Sequence, residues 1–215
     1  MAADNDEQPE AARRRFSVDD ARVRAREALQ KSEFILSRAY GLFKDPKAEW
    51  EQIRAEETTV PNILIGYVAP LAAIPPICDL IGQALFNQTL QLQVGDALIR
   101  AVVTWLVSIG LVFFLGVLVN VVADHFEADK DYLSAQKIAA YSLTPSFLSG
   151  VFSLWPPLWW LSLFALAAMV WLMYRGLPVL MRAPEETALG YAATVTIAAM
   201  VGGIVLFSLA SCVTV

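Results

Sequence analysis

The run AVVTWLVSIGLVFFLGVLVNVVA, Ala101 to Ala123, contains no charged side chain. As an α-helix rising about 1.5 Å per residue, it is long enough to cross a bilayer core of about 30 Å. A second run, ALGYAATVTIAAMVGGIVLFSLASCV from Ala188 to Val213, repeats the pattern. Between Ile63 and these runs, shorter apolar stretches alternate with polar or proline-rich joints. The chain has 215 residues, 57% of them hydrophobic, and a soluble domain could not cover such a distribution with polar surface. The expected fold class is all-α: a polytopic membrane protein, with a five-helix transmembrane bundle and an N-terminal cytoplasmic helical segment.

Charge divides the chain. Eleven of its 16 Lys and Arg residues precede Val60, and only Arg100, Lys130, Lys137, Arg175 and Arg182 follow. The net charge of −5 therefore averages two unlike parts. Three regions are expected: a disordered tail over 1–15, a cytoplasmic or interfacial helical headpiece over 16–60, and a five-span domain over 61–215. In the headpiece, basic and acidic residues interleave and make no continuous patch, which argues against nucleic acid as a partner. Val18 to Ala39 reads as a helix ended by Gly41. Asp45 as N-cap and Pro46 at the first helical position then start a short helix to about Glu57, with Trp50 and Ile53 close to one face. With Leu42 and Phe43 just ahead, this segment either rests on the membrane surface or packs on the cytoplasmic end of the bundle. On the first reading Trp50, Ile53 and Phe43 form the membrane-interface or partner surface.

The expected spans are about 62–80, 97–123, 137–155, 158–174 and 188–213. The first apolar run begins beyond residue 60, so insertion is expected to use the first membrane helix itself. Pro70, Pro75 and Pro76 predict a first span that is kinked or partly unwound and covered by other helices. Pro145 lies near the middle of the third span. It removes a backbone donor and frees a carbonyl about one turn earlier, near Tyr141, where Ser142 and Thr144 can compensate through their hydroxyls. Such a break is either a packed kink or a hinge facing a substrate. Residues 138–174 as one helix would stretch to about 55 Å, far more than a bilayer core. Trp155-Pro156-Pro157 is better read as a hairpin, with Trp155, Trp159 and Trp160 suited to the headgroup zone. Five spans with the amino end inside place fifteen basic residues on the cytoplasmic face and only Arg100 on the other. That orientation puts the carboxyl end on the opposite side.

Lys44-Asp45-Pro46-x-x-x-Trp50 with Ile53, Tyr141-Ser142-Leu143-Thr144-Pro145, and Tyr174-Arg175-Gly176 before the last span occur in this order among five closely spaced spans. Together they resemble the bacterial branch of the Yip family, small polytopic proteins named for interaction with Ypt/Rab GTPases. Ala140 stands where the family's Gly-Tyr-x-x-x-Pro element has glycine, and the resemblance covers roughly Leu42 to Ala210. It implies a five-span integral protein, here of a bacterial inner membrane, without catalysis. Eukaryotic relatives are implicated in membrane traffic and in shaping or sorting membranes. The acidic motifs that precede the first span in those relatives are not evident here.

Other residues invite a sharper reading beside a plain one. Asp79 and Arg100 are candidate intramembrane charges, read as an interfacial ion pair, as plainly solvated groups, or as a transport or proton element. His125 sits in an acidic loop without a second His or Cys nearby, so no metal site is expected. Cys78 and Cys212 fall in the outer halves of their spans and could meet only if the first and fifth helices are neighbours. Gly190, Thr194, Ala198 and Gly202 recur every four residues, spacing that permits close helix packing within the bundle or self-association into a homo-oligomer. No nucleotide loop, catalytic triad or twin-Cys site is present, so no catalytic residues and no cofactor are expected. The function expected is a non-enzymatic membrane adaptor or organising protein, an accessory subunit of a membrane complex included. Its partners would be membrane lipids and a membrane or cytoplasmic protein. The alternative is a small permease or channel component, with the broken first and third spans lining a path.

Overall fold

The structure, a computed structural model, describes residues 22, 23, 26, 29, 30, 32–86 and 94–213, of which 94, 156, 207 and 209–213 are described by their backbone alone. The tail expected over 1–15 lies outside the described residues. Residues up to Tyr40 and those from Gly41 onward form separate compact units. In the first, residues 32–40 are helical, Ser32 and Ser37 hydroxyls donate to Leu29 and Phe34 carbonyls, and the Arg38 guanidinium lies 5.1 Å from the Phe34 ring centre.

The second unit opens with helical residues 41–44, so Gly41 does not end a helix as its type suggested. Asp45 does. It precedes a proline, which disfavours helical backbone, and its φ of −142° and ψ of 80° break the run. Asp45 then caps α1 (Pro46–Ala55) by accepting from Ala48 N at 3.2 Å.

Among the described residues, four helices are long and apolar enough to cross a membrane: Val60–Phe86, Gly95–Phe126, Pro157–Met181 and Glu185–Leu206. The first, α2 (Val60–Phe86), is locally widened and interrupted around its prolines. A π-helical turn, Leu64–Val68, widens the backbone ahead of Pro70, and a turn at Ala73 lets Pro75 and Pro76 enter the first turn of Ile74–Phe86. The Ala69 carbonyl at this break accepts a hydrogen bond from Trp105 Nε1 at 2.8 Å, so the neighbouring helix covers it. That neighbour is α3 (Val94–Val122), which runs into a 3₁₀ turn at Ala123–Phe126.

The third segment departs from the single span expected over 137–155. It begins earlier, at α4 (Tyr132–Ser142), breaks at Leu143, resumes as α5 (Thr144–Leu148) and tightens into 3₁₀ helix over Ser149–Leu154. Residues 135 to 145 are buried without interruption, a pattern of a helix at the centre of a bundle rather than on its rim. It packs against α1, α2, α3 and α6 (Ser162–Met181). Close approach of its last part to α2 needs Gly150, where a Cβ would stand 2.6 Å from Pro75. After Trp155, a 3₁₀ stretch over Pro156–Leu161 leads into α6, and Trp155, Trp159 and Trp160 are exposed. The chain described here ends in α7 (Glu185–Val213). No strand occurs among the described residues.

The bundle has unlike ends. One gathers α1, the 123–131 loop and the α6–α7 joint, tied by Asp129 N donating to Met181 O at 2.8 Å and by Arg182 with Asp129 at 3.2 Å. Lys130, Lys137, Arg175 and Arg182 belong there. The other end carries Asp79, Arg100 and the Trp155 turn.

Candidate functional site

Three short motifs far apart in sequence meet at one place. On α1, Trp50 and Ile53 turn inward and are fully buried against α6. This corrects their reading as a membrane-interface or partner surface: the apolar face is covered by protein, as in the alternative of packing on the bundle. Of the three residues in that set only Phe43 is exposed, beside a cavity shared with Pro145 and Phe164. The Trp50 indole lies over Gly176, where a Cβ would come within 2.8 Å of Cε2 and Cζ2. Only glycine lets the ring sit this close to the α6 backbone. Tyr141 meets the same indole edge-on, with ring centres 6.4 Å apart and planes at 79°, and on its other side meets Tyr67 at 4.6 Å.

Below this aromatic stack lies the helix break. Pro145 removes the donor that would serve the Tyr141 carbonyl, and Thr144 Oγ1 supplies the replacement at 2.7 Å. Having given its proton there, Thr144 Oγ1 accepts from Tyr67 OH at 2.8 Å, which ties the third segment to the π-helical turn of α2. Ser142, the other expected compensator, is buried and its hydroxyl has no partner among the described residues.

Lys137, one turn before Tyr141, is buried, and its Nζ donates at 2.7 Å to both the Ile53 and Glu56 carbonyls. A cation at the end of α1 satisfies carbonyls that no helical N–H reaches and complements the negative end of the helix dipole. From the sequence Lys137 reads only as a marker of topology. The available signal was its place four residues before Tyr141 on a helix with almost no other charge. Gln136 beside it donates to Phe113 O at 3.1 Å, crossing α3 where Gly116 leaves room.

The remaining candidates lie elsewhere. Asp79 and Arg100 line one cavity of about 150 Å³ at the opposite end, with Pro75, Pro76, Thr104 and Ser153. They form no ion pair among the described residues; Asp79 accepts from Gln83 Nε2, four residues along its own helix, and both charges are exposed. Of the readings open for this pair, the ion pair is the one the structure does not form among the described residues. His125 is exposed in the 3₁₀ turn, and no group of His, Cys, Asp or Glu suited to a metal occurs among the described residues. Cys78 is half-buried, while the Cys212 side chain lies outside the described residues. On α7, Gly202 receives the Phe114 ring of α3, where a Cβ would stand 2.6 Å from Cε1. Gly190 and Thr194 are exposed and Ala198 is half-buried, while the neighbouring stripe of Ala188, Ala192, Val195 and Ala199 is buried. A cavity of about 410 Å³ between α3, α5, α6 and α7 is lined mostly by Leu, Met and Ala, with Ser146 and Thr196 its polar side chains. Thr196 already donates to Ala192 O.

Comparison with known proteins agrees with the motif geometry. The family model described as "Yip1 domain" matches residues 40–207. Inner membrane protein YohC of Escherichia coli K12 is 28% identical over 168 residues, covering 74% of this chain and 86% of that protein. YohC of E. coli O6:H1 gives the same figures. No solved structure matches. The match takes in α1, the broken third segment and Tyr174-Arg175-Gly176, the elements that meet around Trp50, and the chain is an integral membrane protein belonging to the Yip1 family.

Proposed function

We propose that this chain is a non-enzymatic adaptor of a bacterial inner membrane, crossing it five times with the amino end in the cytoplasm. It docks a partner protein on the outward face of α1. The inner-membrane setting is taken from YohC, and the fifth crossing from the third segment, which is helical and central although too broken to stand among the four long apolar helices. One observation carries the docking role: α1 is fixed rigidly to the membrane domain by Trp50 on Gly176 and by Lys137 on its last carbonyls. Its other side, with Ala48, Glu51 and Gln52 exposed, is thereby held at a constant place and angle beside the bundle. A fixed polar helix face costs little further entropy when a partner binds.

A photocrosslinking residue at Glu51 in the native membrane tests this. The reading expects one adduct of constant stoichiometry, absent when the probe is placed at Ile197 on the exposed side of α7. A ladder of unrelated adducts, or none, contradicts it. The permease alternative draws on the meeting of two helix breaks at Tyr67 and Thr144. Substrate flux in proteoliposomes of this chain alone would favour it over the adaptor.

A further inference from the structure

A cavity of about 140 Å³ lies at the α1 end of the bundle, outside the aromatic stack. Lys47 of α1, Tyr174 and Arg175 of α6, and Glu185 at the start of α7 line it, with Pro178 and Val179 as its apolar wall. Lys47 and Arg175 are exposed, and neither forms an ion pair among the described residues, although Glu185 shares the cavity. Arg54 flanks the wall, donating to Val179 O at 3.4 Å. Two cations thus share the cavity with one carboxylate, and a third stands beside its wall. Lys47 also stands in the first turn of α1, where the positive end of the helix dipole adds to its charge.

The cations are held in register. Trp50, one turn after Lys47, is seated on Gly176, the residue after Arg175, so the clasp between α1 and α6 fixes the spacing of the two backbone positions that carry the charges. Depth matters as well. From Pro156 through the 3₁₀ stretch and along α6 to Arg175 is about 30 Å at the usual rises, the thickness of a hydrocarbon core. With the Trp155 turn at one headgroup layer, Arg175 reaches the other. A basic pocket between helices at that level has the chemistry to hold a phosphate group, which accepts several hydrogen bonds from Lys and Arg. The Tyr174 hydroxyl offers one more donor.

We propose that this cavity binds a phosphate-bearing anion through Lys47 and Arg175, the headgroup of an anionic phospholipid being the source that its depth favours. The test uses the full chain in neutral detergent micelles, titrated with phosphatidylglycerol, with phosphatidylcholine, and separately with inorganic phosphate, each bound species being read by native mass spectrometry. Phosphatidylglycerol should bind in preference to phosphatidylcholine, and Lys47→Gln with Arg175→Gln should weaken it about tenfold or more. Glu185→Gln removes the opposing carboxylate and should tighten binding, a gain that misfolding cannot imitate. Arg100→Gln, at the far end of the bundle, should leave it unchanged. Inorganic phosphate binding with the same dependence on Lys47 and Arg175 would assign the site to a soluble phosphate compound. The proposal is overturned if neither anion is preferred over phosphatidylcholine, if the double variant binds as wild type, or if Arg100→Gln loses as much.

Discussion

A Cβ on residue 176 would stand 2.8 Å from the Trp50 indole, so Gly176→Ala should destabilise the folded chain by about 1–3 kcal/mol through overpacking. Trp50→Ala should cost about 3–5 kcal/mol, since the ring is fully buried. With the indole gone, alanine at 176 should add little, and that non-additivity in detergent thermal unfolding is the signature of direct contact. Equal costs of Gly176→Ala in both backgrounds would deny it. Thr144→Val should cost about 1–3 kcal/mol by stripping the Tyr141 carbonyl of its donor and the Tyr67 hydroxyl of its acceptor. Tyr67→Phe should then cost less in the valine background than in wild type. The compensating role of Thr144 was legible in the sequence because it acts over three residues. Tyr67 was not, because it lies 77 residues upstream of Thr144 and only the fold brings it near. For Trp50 the sequence showed an apolar side on α1 but not what covers it, since lipid and a neighbouring helix select the same side chain.

Among the elements, proline positions were the most legible feature and their consequences the least. Pro70, Pro75 and Pro76 suggested a kinked or partly unwound first span, and α2 meets them with a π-helical turn and an interruption at Ala73 rather than with a long unwound stretch. Pro145 does break its segment, and Pro178 sits inside α6 without ending it. Pro145→Ala should lower the unfolding midpoint in detergent by about 2–4 °C, the equivalent of roughly 1 kcal/mol in a chain of this length. It deletes buried ring carbons and adds an N–H whose usual acceptor, Tyr141 O, is already taken by Thr144. An unchanged or raised midpoint would contradict this. Lys137→Met should loosen α1 rather than unfold the bundle, because it strips the Ile53 and Glu56 carbonyls of their cation. Trypsin should then cut after Lys47 or Arg54 faster than in wild type while the spans remain intact. Equal cutting would mean that Trp50 alone holds the helix. The small-residue stripe on α7 was legible as a pattern, but which of two adjacent stripes faces the bundle depends on the Phe114 ring that fills the gap beside Gly202.

The whole molecule is organised by charge and aromatic placement along one axis. Basic side chains of the 123–137 region, of the α6–α7 joint and of α1 collect at one end, with Arg100 and the exposed Trp155, Trp159 and Trp160 at the other. That separation follows from chain order, which is why the four long apolar helices found among the described residues were readable in advance. The central segment was harder to read. Gln136, Lys137, Ser142 and Thr144 lower its apolarity because protein, not lipid, surrounds it. Whether it completes a fifth crossing decides which side each end of the chain faces. Fusing a reporter that fluoresces only in the cytoplasm at Met1 or after Val215, and a phosphatase active only outside it at the same positions, measures this directly. The account predicts fluorescence at Met1 and phosphatase activity after Val215; the same reporter active at both positions would contradict five crossings.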